Sequence, residues 1–332
     1  MKNLVLSLTD LYGPSGREED VKTFIKKRIE SNSLESFEDP LGNLWTVKRK
    51  EGAKKILLAA HMDELGVIVT HIDDKGFLRF DKVGGILPHQ LVGMRVIFPG
   101  DIIGVIGQEK IDKLKDLDFP RLYIDIGAFS KKEAAEKVKV GDIATFYYPC
   151  TESGSSIIGK ALDDRAGCAV LLKSLEELLE ANLPNEVYFV FTSQEEVGLR
   201  GAKTIGYKIN PNYCLAVDVT RVGDTPEAPT MEVALGKGPA IKIKDSSMIT
   251  SSAVKNFMIE TAQQENIPFQ LEVLQKGGTD AGVIHLTKEG IPSGVISIPC
   301  RYIHTPSEMV DLRDLEMSVR FLNALLYKEW HI

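Results

Sequence analysis

Lys55-Ile56-Leu57-Leu58-Ala59-Ala60-His61-Met62-Asp63 is the stretch that decides the fold. Ile56 to Ala60 is a short, continuous apolar run, which reads as a buried strand. That strand delivers His61 and Asp63 at its carboxyl end. Other segments repeat the arrangement. Asp163 and Asp164 open a helical pattern. Glu195 and Glu196 follow Val187-Tyr188-Phe189-Val190-Phe191. Asp218 ends Cys214-Leu215-Ala216-Val217, and His304 follows Val295-Ile296-Ser297-Ile298. Ligand chemistry in open α/β sheets gathers at the carboxyl ends of strands, so these clusters form one candidate site. Histidines and carboxylates without cysteine suit a pair of hydrolytic divalent metals.

Working outward, the texture of the chain changes twice. Residues 17–31 read as an amphipathic helix, with Val21, Phe24, Ile25 and Ile29 at helical spacing and Ser15 as its N-cap. Strands follow around 44–48 and 56–60. From Gly66 to about Tyr148 the chain is rich in Val, Ile, Gly and turn signals. A hairpin over 67–72 and 77–80 turns at Asp73-Asp74-Lys75-Gly76. Strands at 95–98, 102–106 and 143–148 and a short helix from Lys131, capped by Ser130, complete that region. Alternating α/β patterning then resumes. A helix runs from Arg165 to Leu179, and strands are expected at 187–191, 214–218, 240–244, 269–274 and 294–298. Helices are expected near 200–207, 252–265, 279–288 and 312–327. The fold class is α/β: an αβα sandwich, residues 1–66 and 154–332, interrupted by a β-rich module at 67–153.

The bulk numbers bound the function. The chain has 332 residues, 43% of them hydrophobic, and a formal net charge of −7. It can bury a full core, and its acidic balance argues against nucleic acid as a partner. No apolar run reaches the roughly 18 residues of a membrane span. Asp10 interrupts the N-terminal apolar stretch, so no signal peptide is expected. These features point to a cytoplasmic protein. The four cysteines, Cys150, Cys168, Cys214 and Cys300, are scattered and read as small buried hydrophobes.

Each cluster also has a plainer reading. His61 and Asp63 lie two apart on an extended segment and point to one side. Asp63 can therefore hold His61 as an orienting partner. Asp163-Asp164 stands at a strand-to-helix turn, where a carboxylate can bridge two metals. Asp also caps helices, so the pair offers one residue for a cap and one for metal. Glu195 and Glu196 are adjacent and face different directions. One can bind metal while its neighbour serves as general base. Asp218 suits a terminal ligand or an Asx-turn. Pro306 extends the loop that presents His304. Gly277-Gly278-Thr279-Asp280 is a Gly-rich turn into a helix, able to hold a substrate carbonyl or carboxylate. It lacks the lysine ending of a phosphate loop. His71, His89, His285 and His331 have no such setting and read as structural.

Taken together, Leu11-Tyr12-Gly13-Pro14-Ser15-Gly16, Ala60-His61-Met62-Asp63-Glu64, Leu162-Asp163-Asp164-Arg165, Gln194-Glu195-Glu196-Val197-Gly198 and Ile303-His304-Thr305 resemble the dinuclear-metal aminopeptidases. That family includes the tetrahedral, glutamyl and deblocking enzymes, and the resemblance spans essentially the whole chain. It implies a zinc-peptidase sandwich of the phosphorylase/hydrolase-like type with an inserted PDZ-like or barrel-like domain. It implies two divalent ions, and zinc or cobalt fits such His and carboxylate ligands. His61 and Asp218 would hold one, Glu196 and His304 the other, and Asp163 would bridge them. Glu195 would be the general base and Asp63 would orient His61. The module would mediate a homo-oligomer, a hollow tetrahedral dodecamer.

The expected function is a metal-dependent aminopeptidase acting on short peptides, with a bridging water and a glutamate base. A deacylase or carboxypeptidase on the same site is the alternative. An endoglucanase fits less well, because adjacent Glu195 and Glu196 do not flank a bond as a glycosidase pair must. A non-catalytic assembly protein would have no use for an intact ligand set.

Overall fold

The computed structural model describes residues 1–331. The chain opens with α1 (Lys2–Thr9), α2 (Glu19–Ser31), β1 (Phe37–Glu38), β2 (Leu44–Lys48) and β3 (Lys55–His61). It continues through β4 (Gly66–Ile72), β5 (Leu78–Val83), β6 (Arg95–Phe98), β7 (Ile102–Gln108), β8 (Leu122–Asp125), α3 (Lys131–Lys137) and β9 (Ile143–Phe146). The remainder comprises β10 (Thr151–Ser153), β11 (Ser156–Gly159), α4 (Leu162–Glu177), β12 (Glu186–Thr192), α5 (Arg200–Ile209), β13 (Tyr213–Thr220), β14 (Ala240–Lys244), α6 (Ser252–Gln264), β15 (Gln270–Val273), α7 (Ala281–Ile284), β16 (Ser293–Arg301), β17 (Glu308–Asp311) and α8 (Leu312–Leu326).

An 11-stranded sheet runs in the order β1-β2-β12-β3-β13-β16-β17-β11-β10, with β14 and β15 branching from β16. Its centre, β12-β3-β13-β16, is parallel. Strands in such a position are buried on both faces, which is why β3 is apolar at every position from Ile56 to Ala60. Ile56, Leu58 and Ala60 pack with α1, α2, α4 and α8 through Leu4, Ile25, Leu172 and Phe321. Leu57 and Ala59 face the other way, toward Ala202 and Ile205 of α5 and Ile284 of α7. The period of two thus divides one strand between two helical layers, and the αβα sandwich is observed.

The second body is a closed barrel, β4-β5-β8-β7-β6-β9. It has its own core around Val67, Phe80, Val96, Ile124 and Phe146. Of the two module types expected, the barrel is the one formed. Among the described residues no helix is long and apolar enough to cross a membrane.

Several local expectations are corrected. Ser15 does not cap α2. The N-cap is Glu18, without a side-chain cap bond, and the Ser15 hydroxyl instead donates to Asp63 at 2.6 Å. The helix expected over 279–288 contracts to Ala281–Ile284; beyond it the Leu286 and Thr287 N–H groups bond Val283 and Ile284 in tight turns, and Lys288 stands at φ +53°. The strand expected over 143–148 ends at Phe146. Ser130 does cap α3, accepting from the Glu133 N–H.

Barrel and sandwich meet over a buried ionic group. Glu64 lies between the end of β3 and the start of β4 and is 1% exposed. It accepts from Lys160 Nζ at 2.8 and 2.7 Å, from the Gly13 N–H at 3.1 Å and from Thr145 Oγ1 of β9 at 2.6 Å. Burial depresses the Lys160 ammonium, and Glu64 works against that. Arg165, fully buried, donates to the carbonyls of Met62, Leu8 and Gly13. Removing one partner of a buried pair leaves a desolvated charge behind. Lys160→Met should therefore destabilise the chain by about 3–5 kcal/mol. Thermal unfolding checks this, and an unchanged midpoint would show that Thr145, Gly13 and Arg165 alone compensate Glu64.

Candidate metal centre

Because β12, β3, β13 and β16 are neighbours and parallel, their carboxyl ends form one edge. Glu195 and Glu196 leave β12, His61 ends β3, Asp218 lies near the end of β13, and His304 follows β16. Asp163 enters from the first turn of α4. The structure brings all of these together. Asp163 Oδ1 is 3.0 Å from His61 Nε2, and its Oδ2 is 3.4 Å from His304 Nε2. Glu196 Oε2 is 3.7 Å from His304 Nε2. Glu195 Oε2 and Asp218 Oδ1 stand 3.9 and 4.0 Å from His61 Nε2. Donor atoms of His61, Asp163 and Glu196 lie within 4.8 Å of one another, as do those of His61, Glu195 and Asp218.

The imidazoles are the informative members. Each commits its Nδ1 to a backbone carbonyl, His61 to Asp63 at 3.1 Å and His304 to Gly85 at 3.0 Å. A carbonyl only accepts, so the proton sits on Nδ1. In a neutral ring the Nε2 lone pair then faces a carboxylate oxygen. A proton or a cation must stand between them.

Other carboxylates bond the backbone of this edge. The Asp63 carboxylate accepts from the N–H groups of Glu195 at 2.9 Å and Glu196 at 3.1 Å as well as from Ser15. Its own Oδ1 is 3.5 Å from His61 Nδ1, so its main bonds go to the acidic loop. Asp164 accepts from the Gly167 N–H at 2.9 Å and the His61 N–H at 3.3 Å, capping the helix behind Asp163. Glu308 accepts from the Asp163 N–H at 3.0 Å and the His304 N–H at 2.8 Å. Glu18 accepts from the Gln194 N–H at 3.1 Å. Glu308 and Glu18 lie outside the motifs recognisable in the sequence. Their only signal there was position, each beside a recognisable motif.

Burial is the dominant electrostatic effect. It pushes the carboxyls of Glu195, Glu196 and Asp164 well above their usual range. Asp218 rises to about 8 by burial, with Asp163 adding. Glu308 likewise rises to about 8. Asp63 and Asp163 are exceptions, Asp63 being held below its usual range against burial by His61, Ser15 and the Glu195 N–H. Burial opposes the ionisation of Asp163, but His304 and His61 outweigh burial and hold it below the usual range. Both imidazoles are raised against burial, His61 by Glu195 and Asp163, and His304 by Asp163. Glu196 Oε1 is buried without any partner. An uncompensated acidic pocket with an orphaned carboxylate oxygen and two aimed Nε2 atoms fits divalent cations, whose binding would displace those protons.

Gly277-Gly278-Thr279-Asp280 borders the same edge. Asp280 is buried, accepts from Thr192 at the end of β12, and leaves its Oδ1 unpartnered, as Thr279 does its hydroxyl. Burial lifts the Asp280 carboxyl to about 6. The remaining histidines lie elsewhere: His71, His89 and His331 are exposed, and His285 bonds the carbonyl of Ala281 in its own helix.

The chain is similar to known proteins over most of its length. The family model described as M42 glutamyl aminopeptidase matches residues 42–321. A relative from Acetivibrio thermocellus is 49% identical across 97% of each chain. The solved aminopeptidase APDkam598 from the archaeon Desulfurococcus kamchatkensis is 41% identical, with a TM-score of 0.94 over 98% of this chain and 94% of that one. The TET1 peptidase of Pyrococcus horikoshii, which can assemble into a tetrahedron or a large octahedral shell, is 35% identical, with a TM-score of 0.90 over 98% and 99%. The matched region takes in the central sheet, the barrel and every strand end of the acidic edge, so the chain belongs to the M42 glutamyl aminopeptidase family and is a hydrolase acting on peptide bonds.

Proposed function

We propose that this chain removes N-terminal residues from short peptides at a site for two divalent ions, zinc or cobalt, with Glu195 as general base. The observation that supports this best is Asp163, whose two oxygens each face an imidazole Nε2 that has a lone pair to give. His61 and Asp218 would hold one ion and Glu196 and His304 the other, with Asp163 shared. Imidazole and carboxylate donors without thiolate suit zinc or cobalt. When bound, such ions polarise the scissile carbonyl and favour ionisation of a nucleophilic water.

The chain's own residues do the positioning and the proton transfer. Glu195 takes a proton from the attacking water and returns it to the leaving amine. Its side chain is only 12% exposed, and its backbone N–H is tied to Asp63, so the carboxyl is held in place in a poorly solvated setting. Asp63 positions His61 and the Glu195–Glu196 turn together. The backbone N–H groups of the Gly277-Gly278-Thr279-Asp280 loop would hold a substrate carbonyl or carboxylate.

Substrate class is tested on metal-loaded protein with aminoacyl-p-nitroanilides, N-acylated amino acids and a soluble glucan. Only the first set should be turned over. Glu195→Gln should keep its metal and lose about 10²–10⁴-fold in rate. Activity within a few-fold of wild type at full metal content would remove Glu195 from this role. Preference for the acylated substrates would favour a deacylase.

Asp163→Asn should weaken both ions together, since one side chain serves both, whereas Asp164→Asn should do less to metal content. Elemental analysis after dialysis reads the ranking, and the reverse order would exchange the two roles.

The inserted module, residues 67–153, is proposed to build a homo-oligomer, a tetrahedral dodecamer with its sites facing an inner cavity. Its barrel exposes Leu87, Ile103, Val105, Leu114, Val140 and Phe129, the last 90% exposed. Such apolar surface is covered by association in symmetric assemblies. A cavity of this kind would limit substrates to short or unfolded peptides. The four free cysteines suit a reducing compartment, the cytoplasm. Light scattering decides the assembly: a monomer across all concentrations and metal conditions would defeat it.

A further inference from the structure

His61 and His304 are held by different means. The Nδ1 partner of His61 is the carbonyl of Asp63, two residues along the same segment. The Nδ1 partner of His304 is the carbonyl of Gly85, 219 residues away in the chain. Gly85 lies in the barrel, in the turn that follows β5. The turn is fitted closely to its neighbours. A Cβ on Gly85 would stand 2.9 Å from His304 Nδ1 and 3.0 Å from its Cε1. Gly84 has φ +88°, and a Cβ there would run into the Leu65 side chain and stand 3.4 Å from the Glu196 Cβ. The two glycines therefore abut His304 and Glu196, the pair assigned above to the same ion.

A carbonyl acceptor on Nδ1 fixes the tautomer that leaves Nε2 free for a metal, and it fixes the plane of the ring. We propose that the Gly84-Gly85 turn of the inserted barrel is a positioning element of the metal centre: the Gly85 carbonyl sets the tautomer and direction of His304, and only a glycine at 85 lets the ring come that close. This rests on the reading of His304 as a ligand. It gives the barrel a part in the site itself, separate from any part in assembly.

The test is a double-mutant cycle on the full chain, read as zinc affinity in a competitive chelator titration with elemental analysis of ions per chain. Gly85→Ala should weaken one of the two binding steps by about 10–100-fold, the usual loss when the outer partner of a ligand is disturbed. The other step should stay as it was. In a His304→Ala background that step is already lost, and Gly85→Ala should add nothing. Gly93→Ala places the same methyl in the same barrel at φ +80° with nothing within 4 Å, so it strains the barrel backbone without touching the site, and should leave both steps intact. Replacing His304 by Nδ1-methylhistidine removes the donor but keeps Nε2 and the barrel sequence. It should weaken the same step, and it decides alone if Gly85→Ala does not fold. Wild-type binding by the methylhistidine protein or by Gly85→Ala overturns the proposal. So does an equal loss from Gly85→Ala with and without His304, or an equal loss from Gly93→Ala. If His304→Ala itself keeps both binding steps, His304 is no ligand; the site reading then falls, and this proposal with it.

Discussion

Buried negative charge at one edge of the central sheet is the constraint on which the rest of this molecule depends. Asp63, Asp163, Asp164, Asp218, Asp280 and Glu308 are all buried there, with Glu195 and Glu196 nearly so, and two imidazoles, His61 and His304, face them. Isolated carboxylates are expensive to desolvate. The fold answers in two ways. Some of these groups accept backbone N–H bonds and become structural. The others are left short of partners and aimed at a common space.

The division is legible residue by residue. Asp63, Asp164 and Glu308 each take two backbone N–H groups, and charge-assisted bonds of this kind are among the stronger ones available. Through them the loops after β3, β12 and β16 and the start of α4 are tied to one another. Asp163, Glu195, Glu196 and Asp218 are what this framework presents. Asp163 keeps its carboxylate free for the imidazoles because Glu308 and Asp164 hold the backbone on either side of it. The general acid–base chemistry assigned to Glu195 draws on the same economy, since a carboxyl in poor solvent that faces other acids is readily protonated and readily relieved of its proton by a cation.

The barrel enters this edge rather than hanging from it. The chain leaves the site after His61, reaches β4 by Gly66, and returns through β9 and β11 to Asp163. Glu64 and Lys160 close that circuit beneath the site, with Thr145 of β9 as one of their partners. The turn after β5 closes it above, against His304. An insertion joined at both ends to segments that carry the proposed ligands is tied to the sandwich by the same groups that hold the site.

Much of this was readable from the sequence because it is periodic or punctuated. Parallel strands covered on both faces are unbroken apolar runs, so β3, β12, β13 and β16 announce themselves, and so do the acids and histidines at their ends. Gly and Asp signals marked the barrel hairpins. What the sequence could not carry is pairing through space. β17 is four residues, too short for an alternation to stand out, and with it Glu308 went unassigned. Ser15 looks like a helix cap by local rule, yet the only acceptor that decides its role is Asp63, brought in by β3. The 279–288 pattern is long enough for a helix but passes into tight turns after His285. The Gly85 carbonyl has no side chain to read at all. The sequence by itself determined the layers, the strand ends and the donor types; the tertiary structure alone decided which donor faces which. Hydrogen bonds and close approaches between distant segments leave no periodic mark in the chain that makes them.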